Sequence, residues 1–184
     1  MRTGQIVEEF SVKRVGIVVL RTPKWEDLDD LLELINSVVD EGADITRDEK
    51  ISREEEIDWL SRLLTQIERG STFFLVAEVK GRIIASADIN RQGGFQKHVG
   101  VVGIVIKKDF RELGIGTAMM RVLIEQSKKM GIKILTLTAY STNKRAIHVY
   151  EKVGFRQTGL IPKKFLKQGK YIDEVIMTKL LERS

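Results

Sequence analysis

The stretch "HVGVVGIVIKKDFRELGIGTAMMRVLIEQSKKMGIKILTLTA", residues 98 to 139, decides how this chain folds. Its first part, 98 to 107, is apolar on both faces, the pattern of a strand in the middle of a covered sheet. "KILTLTA" (133 to 139) reads as a second doubly buried strand. Between them a helical period over 114 to 130 turns Met120, Leu123, Ile124 and Ser127 inward. A strand, a long helix and a strand in that order make a parallel pair joined by a right-handed crossover.

The turn opening that helix, "DFRELGIGTAMM" (109 to 120), holds Gly114 and Gly116. Two readings stand side by side. The glycines supply torsion angles for a tight turn, or they bare the backbone for an anion, because a helix N-terminus presents free N–H groups and a positive dipole end. A dinucleotide fingerprint is excluded, since Met119 stands where its third glycine belongs, and no Gly-Lys-Ser/Thr of an ATP loop occurs.

Working outward, residues 15 to 21 predict a first strand, and 1 to 14 either an extra strand or a flexible extension. "TPKWEDLDDLLELINSVVDEG" predicts a helix capped by Thr22 with Pro23 at its first position and an apolar stripe of Trp25, Leu28, Leu31, Leu32 and Ile35. Ser52 and Glu55 form a capping box for a second helix carrying Ile57, Leu60, Leu63, Leu64 and Ile67. The acidic run Glu54 to Glu56 reads as a solvated first turn. Strands follow over 72 to 79 and 82 to 90. Beyond the quoted stretch come a helix at 142 to 152 and strands near 155 to 161 and 171 to 180, joined by a lysine-rich loop, "PKKFLKQGK" (162 to 170). That loop is a solvated connection or an attractor for acidic groups. The expectation is one domain over 1 to 184: a mixed α/β sheet, mostly antiparallel, with helices on both faces and one parallel pair.

Bulk properties narrow the chemistry. The chain has 184 residues and a net charge of +5, with 31% charged residues, which predicts a soluble, mildly basic protein suited to an anionic ligand. That charge is too mild, and aromatic clusters too few, for nucleic acid. No cysteine is present, and His98 and His148 lack metal spacing, so thiol catalysis and a His/Cys metal site are not expected. "VGIVVL" (15 to 20) is too short for a membrane span or a signal core, so a cytoplasmic location is the default expectation.

Gly100 and Gly103 stand in the central strand, where glycine weakens packing. Either a bulge or crowded packing requires them, or the ladder opens there. If the two buried strands part at their C-terminal ends, the unpaired amides of the first run directly into the glycine turn. An extended ligand with an amide-bearing arm and a pyrophosphate fits such a track, and coenzyme A is built that way.

Two segments together resemble the GNAT superfamily of N-acetyltransferases, over about residues 15 to 180. "RELGIGTA" is similar to the family's Arg/Gln-x-x-Gly-x-Gly/Ala turn, and "NKRAIHVYEKVGF" (143 to 155) to its Asn-x-x-Ala-x-x-x-Tyr-x-x-x-Gly-Phe segment. The resemblance implies acetyl-CoA as cosubstrate, no metal, and a primary amine as acceptor: a protein N-terminus, a lysine or a small amine. It also implies a monomer or homodimer. Carried over by position, backbone groups of Ile104 and Ile106, with Val105 between them, meet the pantetheine arm. Amides from Arg111, Glu112, Leu113, Gly114, Ile115 and Gly116 through Thr117 hold the pyrophosphate, aided by the Thr117 hydroxyl. Asn143 holds the pantetheine or orders the thioester end, and Tyr150 protonates the departing thiolate.

The residues themselves leave alternatives. Ala146, Val149, Tyr150 and Val153 share helical spacing, so Tyr150 can equally be a core tyrosine with a satisfied hydroxyl. Asn143 can be a helix cap, and Arg111 can brace the turn. Many members carry a glutamate base where this chain has Val101, which leaves waters, bulk solvent, a carboxylate elsewhere (Glu41, Asp88 and Asp173, unranked) or His98 at the start of the strand to take the proton, and a non-catalytic acyl-CoA sensor as the alternative function.

Overall fold

A computed structural model describes residues 2–181. Eight strands form one sheet in the order β1-β2-β3-β4-β5-β6-β8-β7. The strands are β1 (Ile6–Val12), β2 (Gly16–Arg21), β3 (Thr72–Val79), β4 (Arg82–Arg91), β5 (Val99–Ile106), β6 (Ile134–Tyr140), β7 (Arg156–Lys167) and β8 (Lys170–Leu180). The helices are α1 (Leu28–Asp40), α2 (Arg53–Glu68), α3 (Ile115–Lys129) and α4 (Lys144–Lys152). Every neighbouring pair is antiparallel except β5 and β6, which are parallel. The mixed sheet expected from the sequence is therefore present, with residues 6–12 as its added edge strand.

The two sheet faces bury different helices. Leu20, Leu75, Ala87 and Ile89 pack with Met119, Met120 and Leu123 of α3 on one face. Phe74, Val76 and Ile83 pack with Leu31 and Leu34 of α1 and Leu60, Leu63 and Ile67 of α2 on the other. The α3 residues expected to point inward, Met120, Leu123, Ile124 and Ser127, are all buried. The α2 capping box forms, with the Glu55 amide donating to the Ser52 hydroxyl at 3.2 Å.

Three local expectations fail for identifiable reasons. Thr22 does not cap a helix. Its hydroxyl accepts from the Gln5 amide at 2.8 Å and donates to the Arg2 carbonyl at 2.7 Å, tying the N-terminal segment down. A short 3-10 turn at Trp25–Asp27 precedes α1, Trp25 is 47% exposed, and the buried stripe is Leu28, Leu31, Leu34 and Val38. Asp27 fixes this start by a bidentate ion pair with Arg21 at 2.7 Å on both arms, nearly solvent-free.

Glu56 is also misplaced by the solvated-turn reading. It lies on the buried side of α2, one turn before Leu60, and is 3% exposed.

The lysine-rich connection is not a loop. Strands β7 and β8 run on through it to a turn at residues 168–169, and a bulge between Ile161 and Phe165, with Lys163 at φ 54°, absorbs the proline. An edge strand tolerates Pro162 because its outer N–H side has no partner to lose. Phe165 then stacks on Tyr140 with centroids 3.8 Å apart, which rewards continuing the strand.

Candidate active site

The parallel pairing of β5 with β6 lasts only three residues: Val99 with Ile134, Gly100 with Leu135, and Val101 with Thr136. Beyond it β5 stays with β4, and β6 stays with β8. The direction of the main-chain groups along β5 follows from its ends. The His98 carbonyl accepts from Lys133 and Ile134 on the β6 side, at 2.8 and 3.2 Å. The Val99 carbonyl takes the Gln92 amide, and the Lys107 amide reaches the Ile84 carbonyl, both on the β4 side at 3.0 Å. Successive residues of a strand face alternate sides, so Val102, Ile104 and Ile106 turn their main chain toward β6; the parallel partnership of Val101 with Thr136 takes up the Val102 amide, which leaves the amides of Ile104 and Ile106 in the gap. Val105, between them, turns its own toward Ser86 of β4.

The two strand glycines are explained by packing. A β-carbon on Gly100 would lie 2.9 to 3.1 Å from side-chain atoms of Ile89, Ile132 and Leu135. One on Gly103 would lie 2.7 Å from a carboxylate oxygen of Asp88. The gap opens beside these glycines without needing them as its cause.

The gap runs into the start of α3. Gly114 takes a left-handed conformation (φ 82°), which reverses the chain into the helix at little cost. Among the described residues no turn or cap hydrogen bond uses the N–H groups of Glu112, Leu113, Gly114, Ile115, Gly116 or Thr117, and the first to find a main-chain acceptor is Ala118, on Gly114 at 3.0 Å. Gly116 must be small, because a β-carbon there would lie 3.0 Å from the Ile106 side chain. The side chains of Leu113 and Ile115 go to the core, leaving only their amides at the turn. The result is a cradle of main-chain donors at a positive helix end. Lys144, Arg145 and Lys152 line the same cleft, with Arg145 held by Glu112 at 3.0 Å.

The Arg111 side chain braces the turn and also lines the cleft. Its Nε donates to the Ile106 carbonyl at 2.9 Å, and its guanidinium pairs with Glu41 at the end of α1. That carbonyl is thereby occupied, while the Ile106 amide is not. Glu41 lines the cleft with its carboxylate held in that pair. Asp173 accepts the Lys163 amide at 2.8 Å on the β7–β8 hairpin, and His98 is exposed at the closed end of the strand pair. Neither Asp173 nor His98 lines the cleft.

The α4 residues answer the open alternatives differently. Asn143 is the cap: its side chain accepts the Ala146 amide at 3.2 Å, and it also lines the cleft. Tyr150 is 8% exposed and packs near Phe155, yet its hydroxyl has no hydrogen-bond partner among the described residues while its ring lines the cleft. Burial pushes that hydroxyl up to about 12, so it holds its proton at any working pH.

On the α1 face the cleft, 1310 Å³ in volume, continues between Ile35 and Val38 of α1, Val101 and Gly103 of β5, and Tyr140 and Phe165. The α1–α2 connection roofs this half. The Tyr140 hydroxyl donates to the Ile45 carbonyl at 3.0 Å, and Lys167 Nζ reaches Asp44 at 2.6 Å and the Ala43 carbonyl at 3.2 Å. These ties join residues far apart in the chain, and no local pattern announces them. No cluster of His, Cys, Asp or Glu suited to a metal exists among the described residues, and none of their helices is long and apolar enough to cross a membrane.

Comparison with known proteins agrees with this geometry. Residues 28–155 match the model of the "Acetyltransferase (GNAT) family". The L-amino acid N-acetyltransferase AaaT of Escherichia coli (strain K12) is 30% identical over 124 residues, spanning 66% of this chain and 75% of its own. The crystal structure of an acetyltransferase of the GNAT family from Streptococcus pneumoniae superposes with a TM-score of 0.80 at 27% identity, covering 89% of this chain and 99% of its own. That of yncA from Salmonella typhimurium, with its cofactor acetyl-CoA, has the same fold: TM-score 0.80, 19% identity, 91% and 95% covered. With the family turn, the parted strands and the match all falling on the same residues, the chain belongs to the acetyltransferase (GNAT) family and is an acyltransferase that uses acetyl-CoA.

Proposed function

We propose that the cleft transfers an acetyl group from acetyl-CoA to the primary amine of a small amino-acid-like acceptor. The observation that carries this reading is the early end of the β5–β6 pairing at Val101 and Thr136, which leaves a row of strand amides leading into the free N–H groups of Glu112 to Thr117. An extended amide-bearing arm lies along Val102, Ile104 and Ile106, and a pyrophosphate lies in the cradle. Acetyl-CoA supplies an acetyl group activated on sulfur.

The chain's residues divide the remaining work. The Ile104 amide faces the gap and donates to the carbonyl oxygen as charge builds on it. Tyr150 delivers a proton to the sulfur. Thr117 adds its hydroxyl to the cradle, and Asn143, its oxygen spent on the cap, offers its amide hydrogens. The α1-side half of the cleft, walled by Ile35, Val38, Tyr140 and Phe165, receives the acceptor. The E. coli relative, named for L-amino acids, supports that class of acceptor.

Isothermal titration with acetyl-CoA, followed by an acceptor screen with labelled acetyl-CoA, tests the reading. The expected result is saturable binding and label transfer to amino acids or their analogues. Absence of binding at millimolar acetyl-CoA would overturn it, and transfer confined to protein lysines or protein N-termini would overturn the acceptor class.

A further inference from the structure

The family's usual carboxylate position is apolar here, at Val101, yet a carboxylate does stand beside the gap on the neighbouring strand. Asp88 of β4 is the register partner of Gly103. Its carboxylate fills the space that any side chain at 103 would take, 2.7 Å from where a β-carbon would be. Gly103 lines the cleft on the α1 face, two residues past Val101 on the same side of β5. The glycine therefore does two things at once: it seats the carboxylate behind the cleft wall, and it puts no side chain of its own between that carboxylate and the cleft.

No cation neutralises Asp88 among the described residues. Its polar partner is the Asn90 side-chain amide, which donates to it. The charged groups on the elements around it are committed elsewhere. Asp30 and Glu33 of α1 pair with Arg82, six residues back along β4, and Glu33 also with Lys107. Glu41 pairs with Arg111, and Glu78 of β3 with Arg21. β3 presents Phe74 opposite Asp88, and β5 presents Gly103. Glu56 of α2, the other buried carboxylate near this face, is not among the groups that move the Asp88 titration. What moves it is burial, opposed by the Asn90 bond, and the outcome is a carboxyl pushed up to about 6.

We propose that Asp88 is the general base of the transfer, taking the acceptor amine's proton past the bare backbone of Gly103. This rests on the acetyl-transfer reading of the cleft. The ammonium nitrogen gives one proton to the Asp88 carboxylate, and its freed electron pair forms the N–C bond. The C–S bond breaks with its electrons going to sulfur, which takes the Tyr150 proton. The second nitrogen proton restores Tyr150, and Asp88 releases its own proton to solvent. A base of this kind is half-ionised near the lower edge of working pH, which suits proton removal at neutrality.

The test compares wild type, Asp88→Asn and Gly103→Ala, using acetyl-CoA and the best amine from an amino-acid panel. Each variant's acetyl-CoA dissociation constant and melting temperature are recorded alongside. The Asn side chain fits the same bed without a charge, so D88N is expected to fold with a melting temperature at pH 8 at or above that of wild type. Wild-type kcat should rise with pH through a limb near 6 and then level. D88N should lose roughly 10²-fold or more at pH 7 with unchanged acetyl-CoA affinity. Its limb near pH 6 should vanish, leaving a rate that climbs steadily with pH. G103A, which pushes the carboxylate aside, should lose kcat while Asp88 remains present.

A folded D88N with kcat within threefold of wild type and the same limb overturns the base and leaves the transferase reading standing. No turnover by wild type with any amine, acetyl-CoA still binding, overturns the transfer reading and the base with it.

Discussion

Tyr150 shows how one side chain can look structural by spacing and still line the cleft. It closes an apolar stripe on α4 and is nearly buried, but its hydroxyl meets no protein acceptor among the described residues. Removing that hydroxyl leaves the packing in place. Tyr150→Phe should therefore cut kcat by roughly 10²-fold with an unchanged acetyl-CoA dissociation constant, measured by steady-state kinetics and titration calorimetry. Glu56 makes the opposite point. Helical spacing put it in a solvated acidic turn, but tertiary packing took its side of α2 inward. Burial pushes its carboxyl up to about 7, with Arg47 opposing. The folded form then holds a proton that the unfolded chain gives up between about pH 4.5 and 7, so stability falls as pH rises through that window. Glu56→Gln should flatten this part of the melting-temperature profile and leave the protein more stable than wild type at pH 8, as read by calorimetry across pH. The burial of Glu56 and the seating of Asp88 by Gly103 both arise between elements, so neither was legible from local pattern.

Strands and helices were mostly legible, because their periods are long and their ends are marked. The fold-deciding stretch from His98 to Ala139 reads as β5, α3 and β6 within a residue or so at each end, and the glycine turn falls where the pattern changes. The failures have local causes. Thr22 and Pro23 resemble a helix start, yet the Thr22 hydroxyl is used by the N-terminal segment. Pro162 and its lysines resemble a loop, yet a bulge lets an edge strand carry them. The parting of β5 from β6 has its own signature at this scale. Amides of Ile104 and Ile106 face the gap, whereas those of Gly103, Val105 and Lys107 face β4. Amide exchange followed by NMR should alternate along the end of β5, Ile104 and Ile106 exchanging roughly tenfold or more faster than their odd-numbered neighbours. Adding acetyl-CoA should erase the alternation, and uniform protection of the free protein would show the strands joined along their length.

Across the whole molecule, the two halves of the cleft are held by different means. The donor half is made by strand order and one turn, all within the stretch from His98 to Ala139. The half proposed to receive the acceptor is roofed by the α1–α2 connection, which Tyr140 and Lys167 tie down. Lys167→Met removes both Lys167 bonds from a partly buried site and should cost about 1–3 kcal/mol of stability. Acceptor KM should rise several-fold while the acetyl-CoA dissociation constant stays put, which kinetics and calorimetry on one preparation can separate. The cradle of Glu112 to Thr117 has a further consequence for how this architecture diversifies. Its donors belong to the peptide unit that nearly every amino acid shares, so, with Gly114 and Gly116 kept, drift in the other side chains there leaves the proposed grip on the coenzyme largely untouched. The opposite wall is written in side chains alone. Changes of taste for one amine over another can accumulate on that wall while the shared half of the reaction keeps running.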